Sequence, residues 1–262
     1  MGINYTTDTK ISNVVNVKVN EIDDNSDYRC IVNYSLMEFS MVSLMMDLDM
    51  SSQSGDTTNP MNIMMRSLVN NNFNQTISSK GNIREISGLD EIILQKMEKI
   101  SLADEQKEEF KRNFLESFGE KAIRENNLQN SVFYPDSLVG SGDSWFITMT
   151  ISSYGIPMHL LLDVKLKELT GNHAIFITEG ILAARKNNES GNRIEPGISY
   201  DLAGTQVSEV KINLQNGIIE NSITTQFIHG KVSAPDANSP GNYIEISLKI
   251  NSRSTLTSRS KK

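Results

Sequence analysis

The chain carries few side chains able to do chemistry, and their spacing ties none of them together. His159, His173 and His229 are its only histidines, and no H-x-x-x-H or similar interval joins them. Zinc takes three or four ligands in fixed geometry, so a histidine zinc site would need distant segments to converge. GSGDSW (140–145) sets a serine among glycines. A nucleophile elbow, however, is G-x-S-x-G between a strand and a helix. Here Ser144 is followed by Trp145 and Phe146, which open a strand, so a loop entering a strand is the simpler reading. The glycines of VGSGD precede no helix that could receive a phosphate, so they form neither a dinucleotide fingerprint nor a P-loop. Asp47 and Asp49 share one strand face, as a cation site or a solvated one. No catalytic residue, metal site or cofactor is expected, and a hydrolase would have to assemble its residues from distant strands.

Methionine is the other unusual feature. MVSLMMDLDM (41–50) holds four, and Met61, Met64 and Met65 follow. Read as one strand over 36–50, the odd positions run Met37, Phe39, Met41, Ser43, Met45, Asp47, Asp49. The even positions run Leu36, Glu38, Ser40, Val42, Leu44, Met46, Leu48, Met50. Around 41–46 both faces are apolar, which predicts a strand covered on both sides. Three readings stay open: plain core, the lining of a flexible apolar groove, or a copper or haem contact, thioethers being soft ligands suited to Cu(I). MNIMM (61–65) has a copper-like spacing but no histidine near it. The groove candidates are Met37, Phe39, Met41, Met45, Met46, Met61, Met64, Met65, Phe110 and Phe114. Cys30 is the single cysteine. It alternates with Tyr28, Val32 and Tyr34, and reads as a buried, inert thiol on a strand face.

These residues are positioned mainly by strands. Val15, Val17 and Val19 alternate with polar neighbours, as do Leu160, Leu162, Val164 and Leu166, and again Ile244, Ile246, Leu248 and Ile250. Turn signals such as DDNSD, SKGN, LTGN, QNG and NSPGN separate about a dozen such runs. Helical spacing dominates only over about 89–127. Ile93 and Met97 lie four apart, and Phe110, Phe114 and Phe118 form an i, i+4, i+8 stripe. Ser87–Asp90 and Ser101–Asp104 read as two capping patterns, and a break is expected near Gly119.

The two strand blocks look like copies. VKVNEI (17–22) matches VKLKEL (164–169), and DYRCIVNYSLMEF (27–39) matches NHAIFITEGILAA (172–184). FNQTISSKGNIREIS (73–87) matches SEVKINLQNGIIENS (208–222). The expected organisation is a first β repeat over 1–88, a helical insert over 89–130 and a second β repeat over 131–262, together one structural unit. The fold class is α+β: a large curved antiparallel sheet, or two smaller ones, with the insert packed on it.

Bulk properties exclude some functions. With 262 residues and a formal net charge of −7, the chain has no basic stripe, and so lacks what supplies most nucleic-acid affinity. No apolar run reaches the length of about 18 residues that a membrane span needs. MGINYTT reads like a short start joined to a mature chain, so an export leader is expected to have been removed.

YPDSLVGSGDSW (134–145) resembles the Y-P-x-x-x-V-x-x-G-D-S-W segment of a family of uncharacterised envelope proteins of Bacteroidota. LESFGEKAIREN and ISSKGNIREISGLDEII (77–93) are similar to the same family. The resemblance implies export, a lipid anchor on the leader, and a periplasmic or outer-membrane-associated location. It carries no catalytic residues. Gly142, Asp143 and Trp145 match the signature, and structural roles are implied: Asp143 capping a turn, Trp145 anchoring sheet to helices. More loosely, the strand–helix–strand order is similar to periplasmic lipoprotein carriers of the LolA and LppX type, in which a curved sheet wraps an apolar cavity. The expectation is a non-enzymatic envelope protein binding a lipophilic small molecule or a partner chain in an apolar groove. The rivals are an interaction module using its sheet edges, a Cu(I) carrier and a hydrolase.

Overall fold

The computed structural model describes residues 7–43, 47–124, 134–135, 137–153, 156–184, 199–215, 217–236 and 242–259. The architecture is α+β, with antiparallel sheets and the helices between them in sequence. The chain divides into two compact units, Met1–Asn127 and Leu128–Lys262.

The first unit begins with a long hairpin, β1 (Thr7–Ile22) and β2 (Tyr28–Ser43). Its turn closes because the Asp23 carboxylate accepts from the Asn25 and Asp27 amides at 2.9 and 3.1 Å. β2 is the central strand. One edge pairs with β1 throughout; the other is shared by β4 (Phe73–Ile77) on residues 28–32 and β3 (Asp47–Ser51) on 38–42. β5 (Ile83–Ser87) completes the path β1-β2-β4-β5. Val14 lies opposite Leu36 but Val15 opposite Tyr34, which leaves Ser35 as an extra residue in β2. This bulge moves the inward face from even to odd numbers, so Tyr34 and Met37 are both buried.

Between its two short partners, β2 is met by the ends of an excursion. The Ser52 amide donates to Met37 O at 2.8 Å and the Asn70 amide to Tyr34 O at 2.8 Å. The excursion contains α1 (Pro60–Leu68). Asn59 caps it by accepting from the Met61 and Asn62 amides, and Pro60 fits the first turn, where no amide hydrogen is needed. After β5 come α2 (Leu89–Met97) and α3 (Asp104–Phe118), with further helical residues at 120–124. Their apolar stripes join the core of this unit.

The second unit is a meander of six antiparallel strands, each paired with its sequence neighbour: β6 (Ser144–Ser153), β7 (Ile156–Leu169), β8 (His173–Ala184), β9 (Ser199–Asn213), β10 (Ile219–Pro235) and β11 (Tyr243–Thr257). Strict alternation in β7 and β9 sends every second side chain to one buried face. The segments that look like copies occupy β1, β2, β4 and β5 in one sheet and β7, β8, β9 and β10 in the other, in the same order.

Three expectations need correction. MVSLMMDLDM is not one strand covered on both sides. It straddles a hairpin, with Met41 opposite Leu48 and Val42 opposite Asp47, and Val42 is 54% exposed. Both arms alternate with the same period, so the alternation hides the reversal. Helix is not confined to 89–127: MNIMM lies in α1, which the Asn59 cap and Pro60 start and which methionine, a good helix former, continues. Neither Ser87 nor Ser101 caps a helix: α2 starts after Gly88 and α3 after Ala103, without a side-chain cap from either. No helix among the described residues is long and apolar enough to cross a membrane.

Candidate functional site

The methionines come together in the first unit's core. Met37, Met64, Met65 and Phe114 are 0–1% exposed, packed with Met50, Met97, Leu68, Phe73 and Ile93. Phe39, Met61 and Phe110 are partly buried at its margin, and Met41 is half-buried farther along β2. Met45 and Met46 lie outside the described residues. The Phe110, Phe114 and Phe118 rings follow one another at centroid distances of 6.0 and 4.8 Å. Such dense thioether and aromatic packing fills space between α1, α2, α3 and β2. Cys30 belongs to the same core; burial pushes its thiol up, away from the reactive thiolate. Burial also pushes the Tyr34 hydroxyl up to about 12.

The histidines do not cluster. His159 lies 3.4 Å from Thr150 Oγ1 on the exposed face, and His229 stacks on Phe227 at 5.2 Å. His173 Nε2 lies 3.1 Å from the Glu220 carboxylate, which also binds Lys211 Nζ at 3.2 Å and accepts from Asn213 Nδ2 at 3.0 Å. The Asn213 bond first, then Lys211 and His173, hold Glu220 below the usual carboxylate range. This carboxylate ties together the ends of β8, β9 and β10. Among the described residues, no three His, Cys, Asp or Glu side chains form a metal-holding group.

In the turn before β6, the Asp143 carboxylate accepts from the Gly140 amide at 2.7 Å. Gly142 takes φ +97°, a conformation that favours glycine. Gly142 N also donates to Leu166 O at 2.7 Å, which fastens the turn to β7. Trp145 meets Phe176 edge-on at 6.2 Å over the buried face of the six-stranded sheet.

That face is where uncharged chemistry collects. On β6, β7 and β8 it is almost wholly apolar: Ile151, Met158, Leu160, Leu162, Val164 and Leu182 are each under 5% exposed. On β9 and β10 it carries a polar island. Gln206, Ser208, Ser222, Thr224 and Gln226 are 2–6% exposed. The strand register sets Gln206 opposite Gln226 and Ser208 opposite Thr224. Gln226 Nε2 donates to Gln206 Oε1 at 2.7 Å, and Thr224 Oγ1 to Ser208 Oγ at 3.0 Å. Ser252 Oγ of β11 donates to Gln226 Oε1 at 3.4 Å. Thr178 of β8 lies opposite Ser208, and its buried hydroxyl oxygen has no hydrogen-bond partner. No charged side chain stands on this face among the described residues. Buried amides and hydroxyls are costly unless bonded, so a run of them inside an apolar face is not what plain packing selects. Sequence reading missed the island because its members are ordinary polar residues. The available signal was polar identity at Gln206, Ser208, Ser222, Thr224 and Gln226 on the otherwise inward parity of β9 and β10.

A family model described as a family of unknown function, DUF6263, matches residues 25–219. No curated protein and no solved structure matches the chain.

Proposed function

The chain belongs to DUF6263, a family of unknown function, and we propose that it is a non-enzymatic binding protein of the cell envelope whose ligand is an uncharged amphiphile. The ligand's apolar portion would lie along β6–β8 and its hydroxyl or amide portion on the β9–β10 island. The observation that carries this reading is the division of one buried, charge-free face into an apolar part and a polar part that includes the unpaired Thr178 hydroxyl. Binding sites for such molecules are mostly apolar, with a few polar groups that fix orientation. The Met37–Met65 cluster is the first unit's core in this proposal, not the site. Envelope placement rests on the resemblance of the Y-P…G-D-S-W segment.

The test is native mass spectrometry and solvent extraction of protein purified from its own host, together with titration by the fluorescent apolar probe N-phenyl-1-naphthylamine. A co-purified neutral lipid, or probe binding displaced by monoacylglycerol, supports the proposal. Protein that carries no lipid and leaves the probe dark ends it.

A further inference from the structure

We propose that the free edge of β1 is a self-association surface, and that its partner is β1 of a second copy, paired antiparallel with Asn13 on the two-fold axis. β1 is sixteen residues long, contains no proline or glycine, and has no strand partner on its outer edge among the described residues. Its side chains opposite Cys30, Val32, Tyr34 and Phe39 are Val19, Val17, Val15 and Ile11. These continue the core-facing side of the sheet, yet they are 51, 53, 46 and 62% exposed. Soluble proteins usually blunt such an edge with short length, proline, a bulge or inward charges. The bulge at Ser35 is on β2; β1 has a bulge of its own at Asn20, beyond the stretch Thr7–Val19, whose outer edge stays regular.

Faces and charges select both partner and register. A two-fold axis through a residue keeps the apolar side of both copies on one face, whereas an axis between residues would set it against the polar side. With Asn13 on the axis, Ile11 meets Val15 and Thr9 meets Val17. On the other face Asp8 meets Lys18, twice by symmetry. Moving the axis to Val14 sets Lys10 against Lys18, a like-charge pair. Moving it to Val15 sets Asp8 against Ile22 and leaves Lys18 facing Ser12. Opposite charges across strands favour a register and like charges disfavour it. The edge is thus self-complementary in the Asn13 register, and pairing extends the sheet while covering four β-branched side chains.

Sedimentation of the full chain over the micromolar range tests this. Wild type is expected to dimerise. Lys18→Glu is expected to weaken the dimer about tenfold, since it turns two attractive pairs into repulsive ones. Asp8→Lys with Lys18→Glu restores it. Asn13→Cys is expected to form an interchain disulfide, because directly opposed residues lie within disulfide reach, whereas Ile11→Cys does not. These side chains are exposed, and unchanged thermal unfolding of each variant separates lost pairing from lost folding. A monomer throughout, or a dimer that survives Lys18→Glu and does not cross-link at Asn13, overturns the proposal.

Discussion

Asp90 and Glu120 cap each other's helices. The Glu120 carboxylate accepts from the Leu89 and Asp90 amides at the start of α2, at 3.2 and 3.4 Å, and the Asp90 carboxylate accepts from the Glu120 amide at 2.9 Å. Each acid sits where the partial positive charge of a helix start favours it. The bonds join residues thirty or thirty-one apart in sequence, so two local features become one tertiary lock. Gly119 lets the segments approach: a Cβ there would fall 2.9 Å from Asp90 Oδ1 and against Leu115 O.

Gly119→Ala is accordingly expected to cost about 1–3 kcal/mol, as overpacking does. Asp90→Ala loses a cap and about 1 kcal/mol. Burial, with the Asp90 and Glu91 charges, holds Glu120 above the usual carboxylate range. A raised folded-state pKa gives stability that is full below the unfolded pKa and lost as pH rises through the folded one. Glu120→Gln keeps the accepting oxygen and removes the charge, so it should gain on wild type from acid to neutral pH. Urea midpoints at both pH values check this; a gain only in acid refutes it.

Replacement of Met64 or Met65 by alanine should cost about 2–5 kcal/mol, since each is fully buried. Leucine at either position should cost less than about 1.5 kcal/mol. Chemical denaturation reads both. Alanine variants as stable as wild type would show that these side chains line open space instead of core.

Gln206→Leu leaves the buried Gln226 amide without its partner, and a loss of about 1–3 kcal/mol is expected. Gln206→Leu with Gln226→Leu should cost less than the two single losses added together, the coupling expected of neighbours. If the island holds a ligand's polar group, the double variant also loses displacement by monoacylglycerol while keeping probe binding. Additive losses and unchanged displacement would show two independent, purely structural residues.

Glu220 gives the opposite pH signature to Glu120. Its folded pKa is lowered, so its stabilisation is present above the unfolded pKa and is lost as pH falls through the folded value. Glu220→Gln should melt below wild type at neutral pH, with the gap closing in acid. Thermal scans across that range decide it; a gap independent of pH contradicts the role given to the charge.

What was legible in the sequence followed from short-range pattern. Leu160, Leu162, Val164 and Leu166 alternate because one face of β7 is buried, and Phe110, Phe114 and Phe118 recur because one face of α3 is. Asn59–Pro60 was an available helix start, passed over because MNIMM was weighed only for its metal-like spacing. The hairpin between Met41 and Leu48 was hidden because both arms share one parity. The polar island and the Asp90–Glu120 lock could not be read locally. Gln206 meets Gln226 only once the β9–β10 register is set, and Glu120 reaches Leu89 only after α2 and α3 have turned back on each other.

The meander of β6–β11 also bears on how the chain acquires its structure. Each of its strands pairs with the one just made, so no step spans more than the fourteen residues between Ala184 and Ser199. The β2–β4 ladder must instead bring Val32 to Phe73 across β3 and α1. Low contact order speeds folding. The half of the polypeptide synthesised last is therefore expected to zip up first on refolding, and pulse-labelled amide exchange should register β7–β9 before β2–β4.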